Sequence, residues 1–294
     1  MYKYIITGIG ILVLAGCASL KKDAKPLENR GITSSDVRFF KGEIRPEQSK
    51  ACFEGAYYRK LVSSEDNWVG IEGKVLLPQI EFDKTRINPK KSKQYLDNPS
   101  VYLGGCMDGQ ETDIGLSWEV IKDERGVVSE ERKAFRPFMR RTGHGTEQAA
   151  VFVNAPAIKD YYWYPGEEVH MSVVLIRDGL LRFVIEGAGK KFEYDFECAG
   201  YAFGRKGEFK RVNAIDQMSN EGKPAQATTT KVKGSRWFYT NLIRHEKGVL
   251  VAVPFHEERY TEMACPKAEY FDIVSAKDWT AKGGEEISIS GAAY

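Results

Sequence analysis

The sequence predicts an all-β protein, two antiparallel sheets packed face to face into a sandwich. Three observations carry that expectation. Apolar and polar residues alternate with a period of two over many short stretches, as in half-buried strands. Turn residues separate those stretches, and a helical rhythm is almost absent. Aromatic residues make up 12% of the chain and supply the side-chain volume that a layer between two sheets needs. No internal repeat or shift of composition divides the chain, so residues 49–294 read as a single domain.

The elements follow in order. In "WVGIEGKVLLPQIEF", residues 68–82, Ile71, Val75 and Leu77 alternate with Glu72 and Lys74, and Pro78 marks a bulge or strand end. "SVYLGG" follows a Lys-rich loop. "GQETDIGLSWEV", residues 109–120, puts Thr112, Ile114, Leu116, Trp118 and Val120 on an oily face and Glu111, Asp113, Ser117 and Glu119 on an acidic one. "QAAVFVNAP" is a short apolar run ending at a turn. In "EEVHMSVVLIRDGLLRFVIEG", Asp178-Gly179 joins two runs as a hairpin. "KKFEYDFEC" sets Phe192, Tyr194, Phe196 and Cys198 against Glu193, Asp195 and Glu197, and "SRWFYTNLIRH" pairs with "GVLVAVPFHEE" through Lys247-Gly248. The best helical candidate is "VVSEERKAFRPFMRR", with Ser129 as its cap and Pro137 interrupting it.

The chain starts "MYKYIITGIGILVLAGC": Lys3, an apolar run at 5–15 and small residues before a Cys, the layout of an exported signal segment. Such a run is shorter than the about 20 apolar residues of a permanent span. Leu14-Ala15-Gly16-Cys17 resembles the bacterial lipobox. The resemblance implies removal of residues 1–16, acylation of Cys17 and the lipid bilayer as a partner, held by more than one acyl chain. Ala18, where Asp would direct otherwise in Gram-negative lipoproteins, goes with sorting to the outer membrane. Residues 17–48 are rich in charge, Pro, Gly and Ser and read as the lipidated Cys and a flexible tether, with 37–40 as the first patch to dock.

With 43 basic and 41 acidic residues the chain is nearly neutral, which argues against nucleic acid as a partner. The basic segments "NPKKSKQ" and "RPFMRR" read as solvated loop or edge charges. Apart from Cys17, the cysteines are Cys52, Cys106, Cys198 and Cys265, an even set that points to two disulfides in an exported protein and leaves three connectivities open. None has metal-ligand spacing. His144, His170, His245 and His256 are scattered; His144, in "RTGHGTE", reads as a turn residue.

At "WYPGEEVHMSVVLIRDGLLRFVIEG", residues 163–187, the chain resembles concanavalin A-like jelly rolls of the lectin and glucanase type. That resemblance implies a curved sandwich whose concave sheet binds sugars. It also implies a structural calcium ion, for which Asp97, Asn98 and Asp108 are candidates although no D-x-D-x-D-G loop is present. No other cofactor is implied. Glu111 and Asp113 fit the first two positions of the glucanase motif E-x-D-x-x-E, but Leu116 stands where the last Glu belongs, and Glu119 lies too far along the strand.

Aromatic faces stack on sugar rings, so Tyr162 and Trp163 in "YYWYPG", and Trp237 and Tyr239 on one presumed strand face, join Glu111, Asp113, Glu119 and Arg182 as ligand-binding candidates. Trp118 belongs to the core. The leading expectation is a non-catalytic, lipid-anchored envelope protein binding carbohydrate or another envelope component. The alternative is a polysaccharide hydrolase or lyase using Glu111 and Asp113 with Glu193 or Arg182. A third is a structural or adhesive surface protein with no small ligand. Whether the acidic strand lines a hollow or a bulging face decides among them.

Overall fold

The computed structural model describes residues 31–90, 94–119, 134–145 and 147–293. In chain order its strands are β1 (Ile32–Ser34), β2 (Ala56–Ser63), β3 (Trp68–Leu76), β4 (Gln79–Glu81), β5 (Asp97–Met107) and β6 (Gln110–Glu119). Next come β7 (Ala134–Arg141), β8 (Val151–Asn154), β9 (Glu168–Arg177), β10 (Leu180–Gly187), β11 (Lys190–Glu197) and β12 (Gly207–Gln217). The last are β13 (Lys231–Glu246), β14 (Val249–Pro254), β15 (Tyr260–Cys265), β16 (Phe271–Val274) and β17 (Glu285–Ser290), with a one-turn helix, α1 (Lys277–Thr280), before β17.

These strands form two sheets. A seven-stranded sheet runs β15-β2-β12-β5-β6-β7-β8, and a ten-stranded sheet runs β1-β14-β13-β3-β9-β10-β11, with β4 and β17 on β13 and β16 on β17. Pairing is antiparallel except between β1 and β14. The facing sides share one apolar layer that includes Ile71, Leu103, Ile114, Leu116, Phe135, Val173 and Phe183. The expected antiparallel sandwich is therefore the fold. The hairpin at Asp178-Gly179 and the β13–β14 pair fall where the sequence places them.

A polar layer also joins the sheets. Glu285 on β17 accepts hydrogen bonds from Arg59 on β2, at 2.9 Å, and from Arg211 on β12, all three side chains being almost wholly buried. Arg211 also donates to the Thr240 hydroxyl at 3.0 Å and to the Gly283 carbonyl, at 2.6 Å, while Asn213 links Ser235 to the Trp237 indole. Burial alone would raise the Glu285 carboxyl, but the Arg211 and Arg59 charges outweigh it and hold the group below its usual range.

Several expectations are corrected. The segment read as the best helical candidate contributes β7, while Ser129 lies outside the described residues. Pro137 is tolerated there because its imide side faces the end of β8, where Ala155 donates to the Pro137 carbonyl. The second half of the presumed tether is docked: β1 pairs with β14, and Glu43 forms a buried ion pair with Arg259 at 2.7 Å. Cys17 and the rest of residues 1–30 lie outside the described residues. Of the two disulfides expected, the structure contains one, Cys52–Cys265. Cys106 and Cys198 are free, because Cys106 faces away from the inter-sheet layer and Cys198 lies within it; burial pushes the Cys198 thiol up to about 12.

Replacing Glu285 by Gln leaves the buried Arg211 guanidinium without a counter-charge and Arg59 with only the exposed Glu262, 2.6 Å away, and the loss expected in urea unfolding is about 3–5 kcal/mol. Replacing Arg59, Arg211 and Glu285 together by Met, Met and Leu is expected to be close to neutral, because the desolvation of the charges disappears with their attraction.

Candidate functional site

The acidic face of β6 lines a hollow. Strand alternation sends Thr112, Ile114 and Leu116 into the core and Glu111, Asp113 and Ser117 to the opposite side of the seven-stranded sheet. There they border a groove of about 810 Å³. Its floor is built in ranks across neighbouring strands. Lys210, Gly104, Asp113 and Arg140 stand in register on β12, β5, β6 and β7, followed by a rank of Val212, Tyr102, Gly115 and Phe138, and then one of Ala214, Ser100, Ser117 and Arg136. The second rank belongs to an apolar cluster separate from the core. Gly115 is required in it, since a Cβ there would stand 2.5 Å from the Tyr102 Cα.

The rims are aromatic. Phe53 stacks on Tyr58 of β2 at one flank, and Phe152 of β8 stacks on Phe138 at the other. Both rings remain open, 45% and 56% exposed, and both line the groove. The loop at 219–223 closes one end, with Glu221 reaching Arg140. Cys52–Cys265 holds the Phe53 segment against β15.

The floor charges are paired. Lys210 bonds both Glu111, at 2.5 Å, and Asp113, at 2.7 Å, and Arg140 takes the second Asp113 oxygen at 2.7 Å. Burial would raise the Asp113 carboxyl; the Lys210 and Arg140 charges outweigh it and keep it below its usual range. A carboxylate so held is a poor proton donor.

Asp216 differs. It accepts a hydrogen bond from the Ser100 hydroxyl at 2.6 Å and has no cation bonded to it among the described residues, so burial raises its pKa to about 6. It is the groove carboxyl that changes charge near neutrality. Tyr102, buried beside it, is pushed well above its usual range, first by burial and then by the charges of Asp113 and Asp216.

Of the residues singled out from sequence, Glu111 and Asp113 share this groove, and Glu119 follows on the same strand face, bonded to Arg136 at 2.5 Å. The others lie elsewhere. Arg182 and Glu193 are on β10 and β11 of the ten-stranded sheet, where Arg182 bonds Asp195 at 2.7 Å and Glu193 at 3.5 Å. The trio of Glu111, Asp113 and Glu193 therefore does not converge. Trp163 is wholly buried and donates to the Gly187 carbonyl; Tyr162 is buried as well. Neither is free to stack on a sugar. Trp237 and Tyr239 do not share a face, because a bulge in β13 between them turns Trp237 into the core and leaves Tyr239 near His170, with 6.3 Å between ring centres. The calcium candidates do not converge either. Asp97 is buried at the start of β5 under the Thr228 and Thr230 hydroxyls, and Asp108 lies beyond the other end of that strand. Among the described residues no group of three or more His, Cys, Asp or Glu could hold a metal ion.

Sequence reasoning missed Lys60, Tyr102, Arg140, Lys210 and Asp216, and the rims Phe53 and Phe152. A signal existed in "FKRVNAID", residues 209–216, whose alternation sets Lys210, Val212, Ala214 and Asp216 on one side.

No family model matches the sequence, and no curated protein matches it. Solved structures do. The scytalido-glutamic peptidase with a transition-state analog inhibitor has a TM-score of 0.50 at 11% identity, covering 81% of this chain and 100% of that one. A second structure of the peptidase, with a peptide-based analog, has a TM-score of 0.46 at 12% identity over 80% of this chain and 98% of that one. The catalytic domain of an endo-1,3-β-glucanase (laminarinase) from Thermotoga petrophila RKU-1 has 0.32 at 10%, over 62% and 77% respectively. At such identities the likeness is one of fold.

Because the folded pKa of Asp216 lies above its ordinary 3.8, its contribution to stability is complete below about pH 4 and is lost as pH rises through about 6. The full loss is up to about 3 kcal/mol. Asp216→Asn is expected to unfold at higher urea than the parent at pH 8 and at similar urea at pH 4.

Proposed function

We propose that this protein is a lipid-anchored component of the bacterial envelope whose groove binds an extended carbohydrate chain across the seven-stranded sheet. The single observation that carries the reading is the pair of open rings, Phe53 and Phe152, on opposite rims of a polar floor. Between β2 and β8 lie five strand spacings, roughly 24 Å, enough for a short oligosaccharide. Sugar rings offer apolar faces to the rims and hydroxyls to the charged floor. The anchor rests on the lipobox at residues 14–17, and outer-membrane sorting on Ala18.

A hydrolytic reading has one supporting observation, the groove carboxyl Asp216, which holds a proton up to about pH 6 and so could donate one. Glu111 and Asp113 support it less, since both are bonded to Lys210. The fold is shared with a peptidase, so peptides belong in the test beside polysaccharides.

With the chain from Cys17 onward, a polysaccharide panel and a peptide library are compared by calorimetry and array binding. Retention of a polysaccharide is expected, weakened about tenfold by Phe53→Ala or Phe152→Ala, as for loss of a stacking contact of about 1.4 kcal/mol. Binding of peptides alone, or two variants that bind like the parent, would overturn it. Release of reducing ends that Asp216→Asn abolishes would establish the hydrolytic reading. Separately, Cys17→Ser is expected to move the protein from the membrane fraction to the soluble one and to abolish labelling with radioactive palmitate. Retention in the membrane would remove the anchor from the proposal.

A further inference from the structure

Lys60, half-buried on the groove side of its strand, stands apart from the other cations of the groove. It lies on β2, opposite Val212 on β12 and Met263 on β15, and lines the cavity. Among the described residues its ammonium has neither a hydrogen bond nor an ion pair. The carboxylates near enough to act on it are Glu111, Glu208 and Asp113, and each is already held by another cation. Lys210 bonds Glu111 and Asp113, Arg140 bonds Asp113, and Lys50 bonds Glu208. Burial, and next the like charge of Lys210, lower the Lys60 pKa, and the three carboxylates offset this only in part. An ammonium group in that position is partly desolvated with no carboxylate bonded to it among the described residues, and its open side is the groove.

We propose that Lys60 is the anion anchor of the groove and that the carbohydrate it takes is an acidic polysaccharide, carrying carboxylate or sulfate groups. The inference rests on the groove reading above and narrows its ligand class. An incoming anion supplies the partner that the fold withholds, and it does so without breaking an existing pair, because Lys210 and Arg140 keep theirs. Neutral glycans gain only the rim and floor contacts. The preference is electrostatic, so it weakens as salt is raised.

The test uses the chain from Cys17 onward with polygalacturonate, its carboxyl-reduced neutral form, dextran sulfate and dextran. The expected result is a preference of about tenfold or more for at least one acidic probe over its neutral counterpart. Lys60→Met is expected to abolish that preference, bringing the affinities for acidic and neutral probes together, and Lys60→Arg to retain it. The arm that responds tells carboxylate from sulfate. In case Lys60→Met does not fold, the parent protein provides an independent readout: the Lys60 ammonium pKa, followed by heteronuclear NMR, is expected to rise when the acidic probe binds. A preference that survives in Lys60→Met, or a Lys60 pKa unmoved by a bound acidic probe, would overturn the assignment. Equal binding of acidic and neutral probes, both weakened by Phe53→Ala, would sink the Lys60 inference and leave the groove reading standing; no binding of any probe would sink both.

Discussion

The carboxylate of Glu285, held between two guanidiniums in the layer where the sheets meet, is the constraint on which the groove depends. Arg59 and Lys60 are neighbours on β2, and Lys210 and Arg211 are neighbours on β12. Successive side chains of a strand point to opposite faces, so fixing each Arg inward fixes each Lys outward. A slip of one residue would bring Lys60 and Lys210 into the core and expose both arginines. The planar fork of Arg also suits it to bond one carboxylate while reaching other acceptors, as Arg211 does with Thr240 and the Gly283 carbonyl. Interior ion pairing and the chemistry of the outer face are thus one arrangement seen from two sides.

On that outer face the pairing is uneven. Asp113 is bonded by two cations and Lys210 by two carboxylates, which locks the centre of the floor into a fixed lattice. The margins are looser: Asp216 has only a hydroxyl partner, and Lys60 has none among the described residues. A rigid centre with uncommitted groups at its edges is how a surface offers specificity without first having to break its own bonds.

Much of this architecture is legible in the sequence, and the limits are physical. The alternation in 109–120 identifies β6, its inward set and its acidic face, because a strand with one buried side has no freedom to mix them. Alternation does not reveal what crosses from other strands. Lys210 and Arg140 meet Asp113 only through the order β12-β5-β6-β7, which no local pattern encodes. A bulge defeats the period-two argument outright, as at Trp237 and Tyr239. Two large aromatic residues in "YYWYPG" carry no sign that tells a platform from a core, and here Tyr162 and Trp163 are core. The inward arginines invert the usual rule that charge marks the wet side.

The bond between Cys52 and Cys265 joins positions 213 apart in sequence. Everything from β2 to the end of β15 consequently lies on a closed covalent loop that fastens one rim of the hollow to the margin of its own sheet. The Phe53 rim cannot swing away as a hinged flap would, and β15 cannot peel from β2 without carrying that rim along. The width of the opening on this flank is set by a ring of chain and not by the balance of weak contacts, so fluctuations that admit a bulky guest must come from the other flank, where Phe152 is carried on the four-residue strand β8.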